Sequence, residues 1–472
     1  MTEGATERGS AVTPKSMLIP LALAQFVCSF AGSNMNVAIS SISKDLGTSV
    51  QGVQTAITLF LLVMAALMIP GSKLTDRVGR KRCLIGGLTV YGVGAVLSAI
   101  APGLGILILG YSVLQGVGSA LLIPPVYILT TLLFTDLKSR AQAFGLISGM
   151  GGVGAAAGPL IGGLITTTVS WRASFLLQGA IVLAIILLSR RIVDPLPPDP
   201  SQAFDVLGAV LSSAGMFFVV VGILQAGSNR VLLVVFLALG AAFLLWFFLH
   251  IRHLERAGRQ PLLSTGLFRV RTSNLALVTQ NIQWLMLMGI SFVVSVFLQV
   301  VRGYTAIETG LVFTAATIGV LVSSLLAARL AKKYTQRTLI VTGFITVLAG
   351  IGVLLGLAQI SDNILVVFPP GLLLIGLGTG TMLTPSVNVV QSAFPEEQQG
   401  EISGLSRSVS NLGSSLGTAI AGTVLVSDLA SGNRSYALAL VVLAAFGLIG
   451  LGAGTLLPSN PVHQRNPDHQ PQ

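Results

Sequence analysis

Charge is scarce in this chain. Only 9% of its 472 residues are Asp, Glu, Lys or Arg, where a soluble domain carries about a quarter. So few charges cannot clothe a water-facing exterior. Cysteine is nearly absent too: Cys28 and Cys83 lie in or beside apolar segments, which excludes a disulfide or thiolate-metal framework. The four histidines divide between a helix end (His250, His253) and the tail (His463, His469), a placement that fits interfacial or solvated rings better than metal ligation. Acids are missing from the middle of every apolar run; all sixteen fall in loops, tails or helix ends. No Ser/His/Asp set or paired carboxylates meet within those runs, so catalysis is not expected and no cofactor is implied. The polar stretch to Lys15 lacks the hydrophobic core of a secretory signal.

What is abundant is apolar: 53% of residues, with a mean hydropathy of +0.86. The apolar runs are continuous and about 20 residues long, which selects membrane-spanning helices over the alternating strands of a barrel. Fourteen spans are expected, over 17–40, 52–72, 83–101, 104–133, 141–167, 171–189, 205–226, 231–251, 273–300, 308–328, 338–358, 364–390, 402–427 and 434–457. The net charge of +11 does not point to nucleic acid, because the basic residues sit in short loops between spans. With the N-terminus inside, roughly 21 of the 27 Lys and Arg fall on the cytoplasmic side. That bias, with an even number of spans, predicts both termini in the cytoplasm and a multi-pass protein of the plasma (inner) membrane.

The sequence repeats itself. Gln115-Gly-Val-Gly118 with Pro125 recurs as Ile375-Gly-Leu-Gly378 with Pro385, and Gly145, Gly154, Gly158 and Gly163 recur as Gly404, Gly413, Gly417 and Gly422. Lys73-Leu-Thr-Asp-Arg77 returns, degraded, as Arg329-Leu-Ala-Lys-Lys333. The common offset of about 256–260 residues, in one order, marks two parallel halves. The expected division is therefore a tail 1–16, a six-helix bundle 17–191, a Pro-rich linker 192–204 and two inserted helices over 205–251. A basic loop 252–272, a second six-helix bundle 273–457 and a disordered tail 458–472 complete it.

Three stretches resemble the major facilitator superfamily. Ser72-Lys-Leu-Thr-Asp-Arg-Val-Gly-Arg-Lys81 resembles its loop G-x-L-a-D-R-x-G-R-K, with Ser72 in place of the first glycine. Gly154-Ala-Ala-Ala-Gly-Pro-Leu-Ile-Gly-Gly163 matches the antiporter motif G-x-x-x-G-P-x-x-G-G in full. Leu298-Gln-Val-Val-Arg-Gly-Tyr-Thr-Ala-Ile-Glu-Thr-Gly310 is similar to a stretch of the 14-span drug:proton antiporter branch. The resemblance implies an all-α major facilitator fold, two six-helix bundles with two extra helices between them. It also implies that Asp76, Arg77, Gly79, Arg80 and Lys81 form a conformational latch, the acid facing a helix N-terminus. The alternative is plain positive-inside anchoring. Gly154, Gly158, Pro159, Gly162 and Gly163 lay a smooth stripe on one helix face, suited to a sliding interface between the bundles or to static helix packing.

The family's antiporters carry an Asp in the first span and an Arg in the fourth. Here Phe30-Ala-Gly-Ser-Asn-Met-Asn-Val-Ala-Ile-Ser40 has Ala31 at the first position, and Ser112-Val-Leu-Gln-Gly116 has Ser112 at the second. Intramembrane acids are the usual proton carriers, so coupling through them is not expected. Asp205, Glu308 and Glu401 remain the candidates for coupling from the edges of the spans, and solvated helix-end positions are the simpler reading of each. Neutral polar residues are the cavity candidates: Asn34, Asn36, Tyr111, Ser112, Gln115, Gln280, Asn281, Gln283, Asn388 and Gln391, with Trp284 beside them. Each could equally serve interhelical hydrogen bonding. Arg407, at the start of the thirteenth span, either snorkels to the interface or faces the cavity, where it would favour anions. The expected function is efflux of small amphipathic molecules by alternating access, with protons as a candidate partner and lipid as the solvent. An uncoupled facilitator or lipid or metabolite exporter, and a non-transporting sensor, are the alternatives.

Overall fold

The computed structural model describes residues 14–134, 137–190, 192, 194–195, 197–199, 203–226, 229–357, 364–395, 398–427 and 433–459. Most of the N-terminal tail, parts of the Pro-rich linker and the tail from residue 460 lie outside the described residues. Among the described residues, fourteen helices are long and apolar enough to cross a membrane. They are α1 (Pro14–Val37), α2 (Val50–Val78), α3 (Arg80–Ala99), α4 (Leu104–Leu133), α5 (Leu137–Thr168), α6 (Trp171–Ser189) and α7 (Val206–Leu224). There follow α8 (Arg230–Arg256), α9 (Arg271–Val301), α10 (Ala306–Lys333), α11 (Gln336–Leu357), α12 (Ile364–Gln391), α13 (Gln399–Val426) and α14 (Asn433–Thr455). Among the described residues there is no strand. In hydrocarbon every backbone polar group must be met within its own segment, and the helix does that locally.

Helix limits follow local chemistry. Ser49, Ser170, Asp205 and Asn229 cap the starts of α2, α6, α7 and α8 through side-chain oxygens, and Thr305 closes a capping box with Glu308 at the start of α10. Gly79, at φ +106°, separates α2 from α3, a conformation L side chains rarely adopt. The first span ends at Val37 rather than at 40, because Ala38 leaves the helix and a short second helix, Ile39–Asp45, follows. Two π-helical stretches, Ile108–Gln115 in α4 and Phe297–Val301 in α9, had no signature in the hydropathy.

The repeat is visible in the packing. In the first half a Cβ on Gly154 of α5 would run into the Phe26 carbonyl of α1; in the second, a Cβ on Gly413 of α13 would run into the Asn281 carbonyl of α9. Gly118 of α4 meets the Gly87 carbonyl of α3, and Gly378 of α12 meets the Gly343 carbonyl of α11, 260 residues on. Glycine is required at these crossings because backbone touches backbone.

The inserted pair is not peripheral throughout. Helix α7 lies over the junction of α2 and α13: Ser213 Oγ donates to the Ala66 carbonyl at 3.2 Å, and Thr423 Oγ1 of α13 donates to the Ile223 carbonyl at 3.0 Å. Val220 completes that contact in an apolar cluster with Leu62 and Ala419. Helix α8 packs on α7 and turns Val231, Val234, Leu245 and Trp246 outward, as lipid-facing positions require.

Candidate substrate path and its two ends

The halves meet along two junctions. Helices α2 and α13 run antiparallel and are hydrogen-bonded over their full length. Gln54 Nε2 donates to the Thr418 carbonyl at 3.0 Å, Ser415 Oγ to the Thr58 carbonyl at 3.0 Å, and Ser408 Oγ to the Ala65 carbonyl at 2.6 Å. A Lys73–Glu401 ion pair closes the junction at the end bearing the Lys73–Arg82 loop, hereafter the basic end. Helices α5 and α10 join differently. Gly163 sits on the Ala306 carbonyl, Gly310 sits on the Pro159 carbonyl, and Ile307 N–H donates to Thr167 Oγ1 at 3.1 Å. All three contacts lie toward the far end.

The far end is closed further by Gln299, whose Nε2 donates to the Asn36 carbonyl at 2.8 Å and whose Oε1 accepts from Ser40 N–H at 3.0 Å. Outside the spans, Arg172 pairs with Asp45 and holds its carboxyl below the usual carboxylate range, with Trp171 Nε1 donating to the same oxygen at 3.0 Å. Helices α4 and α12 are counterparts in the two halves, and no more than isolated contacts join them. On α12, Thr384, Asn388 and Gln391 share one helix face; the first two are exposed and Gln391 is half-buried. Polar side chains open within an apolar span suit an aqueous passage rather than lipid.

The candidate cavity residues fall into three groups. Four are spent between helices. Tyr111 Oη donates to the Ala31 carbonyl at 3.3 Å and its ring stacks on Phe60, while Ser112 Oγ donates to the Ala56 carbonyl at 2.7 Å. Gln280 bonds Ser410 and Ser406 at 2.9 Å each, and Asn281 donates to the Val409 carbonyl at 2.9 Å. Four more are buried with unpaired amide atoms: Asn34 Oδ1, Asn36 Oδ1, both amide atoms of Gln115, and Gln283 Oε1. The rest are open. Trp284 is half-buried, Asn388 is exposed, and Gln391 donates to Ser403 Oγ at 3.3 Å. Arg407, two turns inside α13 rather than at its start, reaches across to α4, where it bonds Tyr127 Oη and lies 4.4 Å from that ring's centroid.

The basic loop is built differently from the expected latch. Asp76 bonds Arg80 Nη2 at 2.9 Å across the Gly79 break. The carboxylate at the N-terminus of α3 is Asp194, from the Pro-rich linker: its Oδ2 accepts from Arg80 N–H at 2.8 Å and Lys81 N–H at 3.3 Å. Lys81 Nζ donates to the Arg190 carbonyl at 2.9 Å, and Arg77 is exposed. The residue of this motif that crosses between halves is Lys73. Its partner Glu401 also accepts from Ser264 N–H at 3.2 Å, drawing the loop after α8 onto the junction. The antiporter stripe also divides: Gly154, Gly158 and Gly162 pack on Phe26, Ser33 and Asn34 of α1 within their own half, and only Pro159 and Gly163 face α10. Asp205 is not solvated: it caps α7 and bonds His250 Nε2 at 2.9 Å and Leu262 N–H at 3.2 Å, its side chain 5% exposed. No sequence period encodes these distant pairings, which is why Lys73, Asp194 and Tyr127 escaped the residue patterns.

Comparison with known proteins agrees with this architecture. A peptide transporter POT in complex with sulfate superposes with a TM-score of 0.67 at 17% identity, covering 96% of this chain and 97% of that one. The chain is 30% identical over 411 residues to the puromycin resistance protein pur8 of Streptomyces alboniger, across 86% of this chain and 81% of that protein. It is 28% identical to the multidrug resistance protein Stp of Mycobacterium tuberculosis (88% and 76% covered) and 28% to the multidrug efflux pump LfrA of Mycolicibacterium smegmatis (86% and 80%). The sequence profile of the Major Facilitator Superfamily matches residues 21–418 and again 276–471. Two packed halves, repeated glycine crossings and that match make this multi-pass membrane protein a member of the Major Facilitator Superfamily.

Proposed function

We propose that this transporter exports small amphipathic molecules across the plasma (inner) membrane by alternating access, with its basic end and both termini in the cytoplasm. One observation carries the reading: the far end is hydrogen-bonded shut at Gln299, while Thr384 and Asn388 on α12 stay exposed toward the basic end. That asymmetry supports a conformation ready to take cargo from the cytoplasmic side. The unpaired amide atoms of Asn36, Gln115 and Gln283 support a cavity finished by water or by a hydrogen-bonding ligand, since buried polar atoms rarely go unmet. Relatives named for puromycin resistance and multidrug efflux support drug-like cargo.

The positions of Ala31 and Ser112, both buried and uncharged, favour a second reading, a facilitator without proton coupling. Reconstitution separates the two. Uphill export from liposomes under an imposed pH gradient supports a coupled exporter; exchange that persists without uphill movement supports the facilitator. No flux of any neutral, cationic or anionic compound in a panel sinks both and leaves a non-transporting sensor.

A further inference from the structure

Among the described residues, Arg407 sits inside a membrane span without a carboxylate partner. Among the described acids, Glu401 lies six residues away but is held by Lys73 and Ser264, Asp205 by His250, Leu262 and Gly208, and Asp76 by Arg80. The guanidinium carries five N–H donors. One bonds Tyr127 Oη, a neutral acceptor, and none of its nitrogens is among the buried atoms without a partner. The remaining donors are therefore accessible. A cation at this depth is costly unless something negative or strongly polar meets it. The surroundings are polar and come from both halves: Tyr127 receives Arg407 and donates to Gln25 Oε1 of α1 at 3.2 Å, while Ser403, one turn before Arg407, receives Gln391 of α12.

We propose that Arg407 is an anion-binding subsite and that the favoured cargo consists of amphipathic molecules bearing an acidic group such as a carboxylate. This rests on the transport reading above and narrows its substrate class. An arriving carboxylate takes a bidentate bond from the guanidinium and displaces the Tyr127 hydroxyl, because a charge-assisted pair is stronger than a bond to a neutral phenol. Arg407 belongs to the second half and Tyr127 to the first, so the same exchange releases a tie between the halves. Cargo binding and conformational release are then one event.

A matched pair of probes tests this: N-dansyl-phenylalanine, a carboxylate, and N-dansyl-phenylalaninamide, its neutral counterpart. Fluorescence titration of the purified full chain should show the carboxylate bound about tenfold or more tighter. Arg407→Gln should abolish the preference for the carboxylate, with an unchanged thermal unfolding midpoint as the check on folding. Arg407→Lys should keep part of the preference, and Tyr127→Phe should tighten carboxylate binding by removing the competitor. Equal binding by the unaltered protein, or a preference that survives Arg407→Gln, overturns the subsite. Flux of the same probes in liposomes distinguishes the two levels: amide transport without acid preference overturns the subsite but spares the transport reading, and no flux of either probe overturns both.

Discussion

The two junctions between the halves occupy equivalent places in the repeat yet are made by different chemistry. Between α2 and α13, hydroxyl and amide side chains of one helix reach carbonyls of the other from Gln54 to Ser408, and an ion pair ends the row. Between α5 and α10, glycine lets backbones touch, and the contacts made by Gly163, Gly310 and Ile307 lie toward the far end. A row of directed bonds has one register, whereas bare backbone faces can pivot. Helix α7, seated over the first junction, adds to the contrast. The difference implies a fixed hinge on one side and a moving contact on the other.

The contrast can be broken most sharply at the smooth junction. Gly310→Ala places a Cβ against the Pro159 carbonyl; it should cut liposome flux about tenfold or more and destabilise the fold by ~1–3 kcal/mol. Gly149, on the same helix as Gly163 but with nothing near its Cβ position, should accept Ala with flux essentially unchanged. Equal damage at both would abolish the distinction between closed and open parts of α5. Next in size is the bonded junction, where Gln54→Leu removes a buried cross-helix bond while the Thr418 carbonyl keeps its partner within α13; a loss of about 0.5–1.5 kcal/mol in detergent unfolding is expected.

The Lys73–Glu401 pair is 27% and 22% exposed, so Glu401→Gln should cost only about 0.2–1 kcal/mol. Its expected signature is a change in the balance of access states, read by spin-label distances across the basic ends of α4 and α12. An unchanged distance distribution would reduce the pair to surface decoration. The smallest effect belongs to Asp45. Arg172 lowers its folded pKa, so its contribution is present above about pH 4, its unfolded value, and is lost as pH falls through the lower folded value. Thermal unfolding should show a steeper acid loss in the unaltered protein than in Asp45→Asn, reduced by the exposure of the pair.

Legibility differed between backbone and side chains. The glycines were readable in pairs because a repeat at 259 or 260 residues places equal crossings in both halves. Gly79, marked only as part of the loop motif, takes the positive φ that a break between two helices needs. The polar candidates were identified by type, but their roles were not separable. Gln280 and Gln283 lie one turn apart on α9, yet the first is fully bonded to α13 and the second keeps an unpaired oxygen. Asp76 and Asp194 likewise exchanged the role expected of the acid at the start of α3.

By itself the sequence determined the fourteen spans, their helical form, the doubling of a six-helix unit and the absence of acids at mid-depth. These follow from hydropathy summed over local runs, which lipid reads without reference to the rest of the chain. Only the tertiary structure decided that Lys73 meets Glu401, that Asp194 caps α3, and that Arg407 crosses to Tyr127. Such meetings depend on the rotation and register of helices hundreds of residues apart, and no local pattern carries that geometry.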